Sequence, residues 1–168
     1  MTSSGLIVLS EEPLNLEMPF HELDDFITPN DRFYVRCHFP IPQIDRDAWR
    51  LKVEGSVSKP LELSYDDLKQ LETRTTIATM ECAGNSRSLL DPKVKGVQWG
   101  LGAVGNAQWT GVPLSDVLQC AGIKDEAVAV ILEGADHVVV KETPKPEGEI
   151  YSARGLPLAK ANDDVSLA

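Results

Sequence analysis

The stretch Arg74–Ser88 constrains this chain more than any other. Arg74 to Met80 is rich in Thr and Ile, the composition of a strand. The pattern then breaks at Glu81-Cys82-Ala83-Gly84-Asn85-Ser86-Arg87-Ser88. Gly84 and Asn85 tolerate the backbone angles of a tight turn. On period 2, Ala78, Met80 and Cys82 share one face. A thiol at a strand end, on a turn and followed by a cation, is placed to be exposed and ionised. The alternative is a buried free Cys, packed as a small apolar residue beside a surface Arg.

Around this stretch the sequence predicts short elements. Residues turn apolar at Leu6-Ile7-Val8-Leu9, and Glu11–Glu22, with Pro13 and Pro19, reads as an extended arm wrapping the surface. Thr28-Pro29-Asn30-Asp31 is a turn signal leading into a short strand over Arg32–Phe39, which Pro40-Ile41-Pro42 ends. Trp49–Gly55 alternates apolar and charged residues, as a half-buried strand does, and Pro60–Leu63 is a short extended piece. Ser64-Tyr65-Asp66-Asp67 resembles a capping box and opens a helix through Leu71. Gly111 and Pro113 introduce a second helix, whose stripe is Leu114, Val117, Leu118 and Ala121 and whose stop is Gly122. Ala127–Leu132 predicts an apolar strand ending at Glu133-Gly134-Ala135-Asp136-His137. Thr143–Gly148 reads as a loop, Pro157 starts a last short helix, and no closing element is evident at Leu167-Ala168. Strands outnumber helices without strict alternation. The expected fold is α+β with mixed or antiparallel sheet, in one domain over residues 1–168.

Charge narrows the function. Sixteen Lys and Arg against 26 Asp and Glu give a net charge of −10. That argues against nucleic acid, which needs clustered cations. An anionic substrate would need a locally positive pocket inside this negative field. No apolar run reaches the roughly 18 residues of a membrane span. The opening Met1–Gly5 shows no export signal, so a cytoplasmic protein is expected, or a periplasmic one if a signal has been removed. Cys37, Cys82 and Cys120 form no C-x-x-C, and no two His stand at i, i+4, so neither a disulfide framework nor a zinc site is expected.

Three further features carry two readings each. Gly100-Leu101-Gly102-Ala103-Val104-Gly105 spells the dinucleotide fingerprint, yet that motif works only between a strand and a helix. Asn106–Pro113 is too short and broken for such a helix, which leaves a Gly-rich loop passing close to a ligand or to other backbone. Arg36 and His38 share one face of their strand; they are either a solvated edge or two donors to an anion. Asp136 and His137 follow an apolar strand, where turns and ligand-binding groups both occur.

Four blocks together carry a resemblance. Phe33–Pro42, Glu81–Ser88, Ala103–Gly111 and Leu132–Asp136 resemble, in order and spacing, the sulfite oxidase family of molybdopterin-dependent oxidoreductases. The resemblance implies a sulfite-oxidase-type molybdopterin-binding fold and a Mo-molybdopterin cofactor, with Cys82 as the thiolate ligand of the metal. Arg36 and Arg87 match arginines lining the oxyanion pocket. Tyr34, Val35, Arg36, Cys37 and His38 match the segment that contacts the pterin, and Asp136 a pterin-bonding carboxylate. Cys37 stands where the family commonly has Asn.

The implied reaction is oxidation of sulfite to sulfate, with two electrons passing to an acceptor such as a cytochrome c. Reduction of nitrate or another oxyanion at the same site is the near alternative. A folded interaction module without metal is the distant one. The family's cofactor domain continues beyond the position of Ala168 and is followed by a dimerisation domain. Residues 1–168 are therefore expected to be the N-terminal portion of that domain, from proteins that often dimerise.

Overall fold

The structure is a computed structural model describing residues 5–140, 146–163 and 165–168. In chain order its elements are β1 (Ile7–Glu11), β2 (Leu14–Glu17), β3 (Val35–Arg36), β4 (Arg50–Val53), β5 (Leu61–Ser64), α1 (Tyr65–Leu68), β6 (Arg74–Glu81), β7 (Val104–Pro113), α2 (Leu114–Ala121), β8 (Ala129–Val138), β9 (Ile150–Pro157), α3 (Leu158–Ala161) and β10 (Ser166–Leu167). The pairings β1–β2, β2–β3, β4–β5, β7–β10 and β8–β9 are antiparallel, which bears out the α+β expectation. Among the described residues no helix is long and apolar enough to cross a membrane. The chain forms two compact units: residues up to Ile41 with Ile77–Gln108, and Pro42–Thr76 with Trp109–Ala168.

In the first unit β2 lies between β1 and β3. This corrects the surface arm expected over Glu11–Glu22, because Asn15, Glu17 and Met18 are 1%, 5% and 1% exposed. A central strand is buried whatever its polarity, provided its polar groups find partners. The strand expected over Arg32–Phe39 contracts to Val35–Arg36. Its ladder stops because the Cys37 N–H donates to the Asn15 side chain at 3.2 Å, and Pro40 has no N–H to offer. The unit's core is Tyr34, Trp99 and Ala103, with Leu9, Phe33, Cys82 and Val97 packed against it. β6 is exposed at all eight positions, and burial begins only at Cys82.

In the second unit β4 and β5 pair from Arg50↔Ser64 to Val53↔Leu61, with Leu51 and Val53 half-buried as the alternation predicts. The capping box forms, with Ser64 Oγ accepting from the Asp67 N–H at 3.1 Å and Asp67 accepting from the Ser64 N–H at 2.8 Å. The helix ends at Leu68 rather than Leu71, because Gln70 and Leu71 turn back to carbonyls three residues away. α2 buries Leu114, Val117, Leu118 and Ala121, and Gly122 caps it at φ 67°. α3 follows Pro157 as expected.

The second helix follows Gly111 and Pro113 as expected, with Pro113 both the last residue of β7 and the residue that leads into α2. Two expectations fail in this unit because they overlook distant partners. β10 closes the chain end through Ser166↔Pro113 and Leu167↔Val112. A Cβ on Gly111 would collide with the Leu167 carbonyl. β8 does not end at Glu133. It continues to Val138 through a register shift between Glu133 and His137, because β9 supplies a partner along its length. Of the loop expected at Thr143–Gly148, residues 143–145 lie outside the described residues.

Candidate functional site

The site is built on the first unit's Cys turn. Cys82 follows the last residue of β6, and its N–H donates to the Ala103 carbonyl at 2.9 Å. The turn closes through Asn85 N–H to the Cys82 carbonyl at 2.8 Å and Arg87 N–H to the Gly84 carbonyl at 3.1 Å. Ser86 takes φ 63°, a left-handed conformation uncommon for a residue with a Cβ. The Gly84 N–H points at Cys82 Sγ, 3.4 Å away. The thiol itself is half-buried.

The Gly-rich segment is the buttress of this turn. It runs into strand β7 rather than into a helix, so it is no dinucleotide fingerprint. Asn85 Oδ1 accepts the Ala103 N–H at 3.0 Å, Ser86 N–H donates to the Gly100 carbonyl at 2.6 Å, and Ser88 N–H to the Trp99 carbonyl at 2.9 Å. From the opposite side the buried Glu17 carboxylate accepts the N–H of Gly100 at 2.9 Å and of Gly102 at 2.7 Å. The glycines are required by packing. A Cβ on Gly100 would lie 2.8 Å from Glu17 Oε1, one on Gly102 would collide with the Met18 carbonyl, and one on Gly105 would lie 2.5 Å from the Phe33 ring. Close approach to other backbone is realised at Gly102, and to side chains at Gly100 and Gly105.

Arg36 and Arg87, both half-buried, belong to this unit. Arg87 folds back over the turn. Nη1 donates to the Val97 carbonyl at 3.1 Å, and Cβ atoms on Gly84 and Gly96 would lie 2.9 Å and 3.0 Å from its Cζ. Arg36 donates through Nη1 to the Cys37 carbonyl and, at 3.4 Å, to Asn15 Oδ1. Its Nη2 sits 2.9 Å and 3.1 Å from the two ring nitrogens of His38, so these residues share a face as period 2 predicts. Among the described residues neither arginine has a carboxylate within salt-bridge distance, unlike Arg32 and Arg46.

Tyr34 and Cys82 are neighbours. Tyr34 stacks on Phe33 at 5.3 Å and meets Trp99 edge-on at 6.2 Å, and Cys82 packs on the same cluster. Burial first, then the negative charge of Cys82 and of Glu81, holds the Tyr34 phenol above its ordinary pKa of 10.0. Trp99 is 0% exposed and its Nε1 has no partner among the described residues. Sequence reading missed Trp99, as it missed Asn15 and Glu17; one buried indole carries no local signal.

The structure thus gathers Tyr34, Val35, Arg36, Cys37, His38, Cys82 and Arg87 in one unit. Asp136 belongs to the other, at the β8 register shift, where a Cβ on Gly134 would collide with its Oδ1. His137 beside it meets the Tyr151 ring at a tilt, 5.1 Å between centroids, and faces Glu149 at 3.7 Å.

Comparison with known proteins gives the family. Residues 38–168 match the family model described as oxidoreductase molybdopterin binding domain. The mitochondrial sulfite oxidase of Drosophila melanogaster is 42% identical over 166 residues, covering 95% of this chain but 27% of that protein. The NADPH nitrate reductase of Aspergillus niger is 40% identical over 132 residues, covering 74% of this chain and 15% of the reductase. Among solved structures, the sulfane dehydrogenase SoxCD of Paracoccus pantotrophus superimposes with a TM-score of 0.76 at 31% identity, over 94% of this chain and 38% of that one. The chain spans well under half the length of these relatives.

Proposed function

The chain belongs to the oxidoreductase molybdopterin-binding domain family, and on that premise we propose that it is an oxidoreductase of sulfite oxidase type, holding Mo-molybdopterin through Cys82 and converting sulfite to sulfate. The observation carrying this reading is the half-buried Cys82 sulfur with the Gly84 N–H 3.4 Å away, on a turn over which the unneutralised Arg87 guanidinium folds. The donor set fits the group. Among the described residues no three His, Cys, Asp or Glu converge, so Cys82 would be a lone protein ligand and a cofactor would supply the rest. A thiolate suits a soft or high-valent centre. When bound, the molybdenum centre supplies oxygen-atom transfer and takes up two electrons.

The chain's own residues then have separable tasks. Cys82 would hold the metal, and the Gly84 N–H, 3.4 Å from its sulfur, would donate to it. Arg36 and Arg87 attract and orient the oxyanion, supplying the local positive potential that a chain of net charge −10 otherwise lacks. Tyr34, kept a neutral phenol by burial, adds no negative charge to the cluster on which Cys82 packs. We assign Tyr34, Val35, Arg36, Cys37 and His38 to the pterin, together with Asp136. Electrons leave to an acceptor such as a cytochrome c, and the whole protein works as a dimer.

A second reading, nitrate reduction at the same residues, is favoured by the 40% identity to the fungal nitrate reductase. Metal analysis with sulfite- and nitrate-dependent turnover separates these. We expect molybdenum near one per chain in the native protein and its loss in Cys82→Ser, with an unchanged circular dichroism spectrum. Turnover of nitrate alone would replace the first reading with the second. Metal retained by Cys82→Ser would remove Cys82 from the site, and a metal-free native protein would leave a non-catalytic module.

A further inference from the structure

β2 lends two buried polar side chains to the frame of this site, and Asn15 is the one that touches a group assigned to substrate. Its Nδ2 donates to the Pro13 carbonyl and to Ser10 Oγ, both at 2.8 Å. A carbonyl can only accept, so the amide orientation is fixed and Oδ1 must face the other way. There Oδ1 accepts the Cys37 N–H at 3.2 Å and Arg36 Nη1 at 3.4 Å. Every hydrogen-bonding capacity of the amide is used, at 1% exposure. The other groups bonded to the guanidinium, the Cys37 carbonyl and the His38 ring, are not carboxylates either. A carboxylate in place of Asn15 could hold the same fork while cancelling its charge.

We infer that Asn15 is a positioning residue: it fixes the Arg36 guanidinium from behind while leaving its positive charge whole, and so sets the affinity of the site for oxyanions. This rests on the assignment of Arg36 given above. Asn15→Asp tests it, because Asp is nearly isosteric and still accepts from Arg36 and Cys37 but pairs the charge; its second oxygen faces the Pro13 carbonyl to which the amide donated, so Asn15→Ser is measured beside it.

The measurement is sulfate binding by titration calorimetry, which needs no turnover, on the native protein, Asn15→Asp, Arg36→Ala and the double variant, each checked for a cooperative melt. Arg36→Ala and Asn15→Asp should each weaken sulfate about tenfold or more, the scale of one charge-assisted bond. The double variant should be no weaker than Arg36→Ala, because Asn15 acts only through Arg36. If the buried Asp without its cation prevents folding, Asn15→Ser in the same two backgrounds makes the comparison, since it also releases the guanidinium. Equal weakening with and without Arg36 would reduce Asn15 to a structural residue and overturn the inference. Loss of affinity in Arg36→Ala but not in Asn15→Asp would overturn this inference alone. Unchanged affinity in Arg36→Ala would overturn the assignment of Arg36 itself, and Asn15 with it.

Discussion

Replacing Gly102 by Ala tests whether the Gly-rich segment is a packing device. An added Cβ would collide with the Met18 carbonyl oxygen and lie 2.8 Å from its carbon and 2.9 Å from Glu17 Cγ. Two of these atoms are backbone, so no rotamer change relieves the overlap and the segments must part. Parting stretches the Met18 N–H bond to the Gly102 carbonyl, now 3.3 Å, and the Gly102 N–H bond to Glu17, now 2.7 Å. A backbone bond contributes about 1 kcal/mol and a bond to a buried carboxylate about 2 kcal/mol. Overpacking costs about 1–3 kcal/mol more. Together these give about 4–6 kcal/mol, comparable to the whole stability of a marginal domain. Urea unfolding followed by tryptophan fluorescence reads this directly, since Trp99 is fully buried in the same unit. Gly155→Ala is the control; its Cβ would lie 3.3 Å from the movable end of Ile131, and it should cost under about 1 kcal/mol. A Gly102→Ala protein as stable as the control would refute the packing account, and loss of nicotinamide binding in place of stability would revive the dinucleotide reading.

Arg87→Gln should raise the sulfite KM by about 5- to 150-fold with kcat little changed, the equivalent of about 1–3 kcal/mol for one charge-assisted contact. Gly96→Ala should act in the same direction, because its Cβ would displace the Arg87 guanidinium and its φ of 117° disfavours a side chain; steady-state kinetics with an unaltered KM would contradict the pocket. The Ser64 hydroxyl first, then the Ser64 N–H, holds the Asp67 carboxyl below its ordinary pKa of 3.8. Its contribution to stability is therefore fully present above that value and is lost as pH falls through the lower folded value. The difference in melting temperature between the native protein and Asp67→Asn should accordingly be constant near neutrality and vanish in acid. A difference that persists in acid would mean the capping bond does not depend on the charge.

Much of the local structure was legible in the residues alone. The α2 stripe, its Gly122 cap, the Ser64–Asp67 box and the β4 alternation are each written within a few positions, where periodicity and capping chemistry act. So was the Cys82–Arg87 turn, whose strand, glycine and thiol lie side by side. What the sequence by itself determined was the family-marking turn and the pieces around it. Tertiary structure alone decided that β2 is buried, that Gly100 and Gly102 face Glu17, and that β7 and β10 pair. Those facts depend on partners some 20 to 85 positions away, as Asn15 to Cys37, Val112 to Leu167 and Glu17 to Gly102 show. A buried carboxylate or amide looks in sequence like a solvated one. Only the distant N–H groups that satisfy it make its burial tolerable.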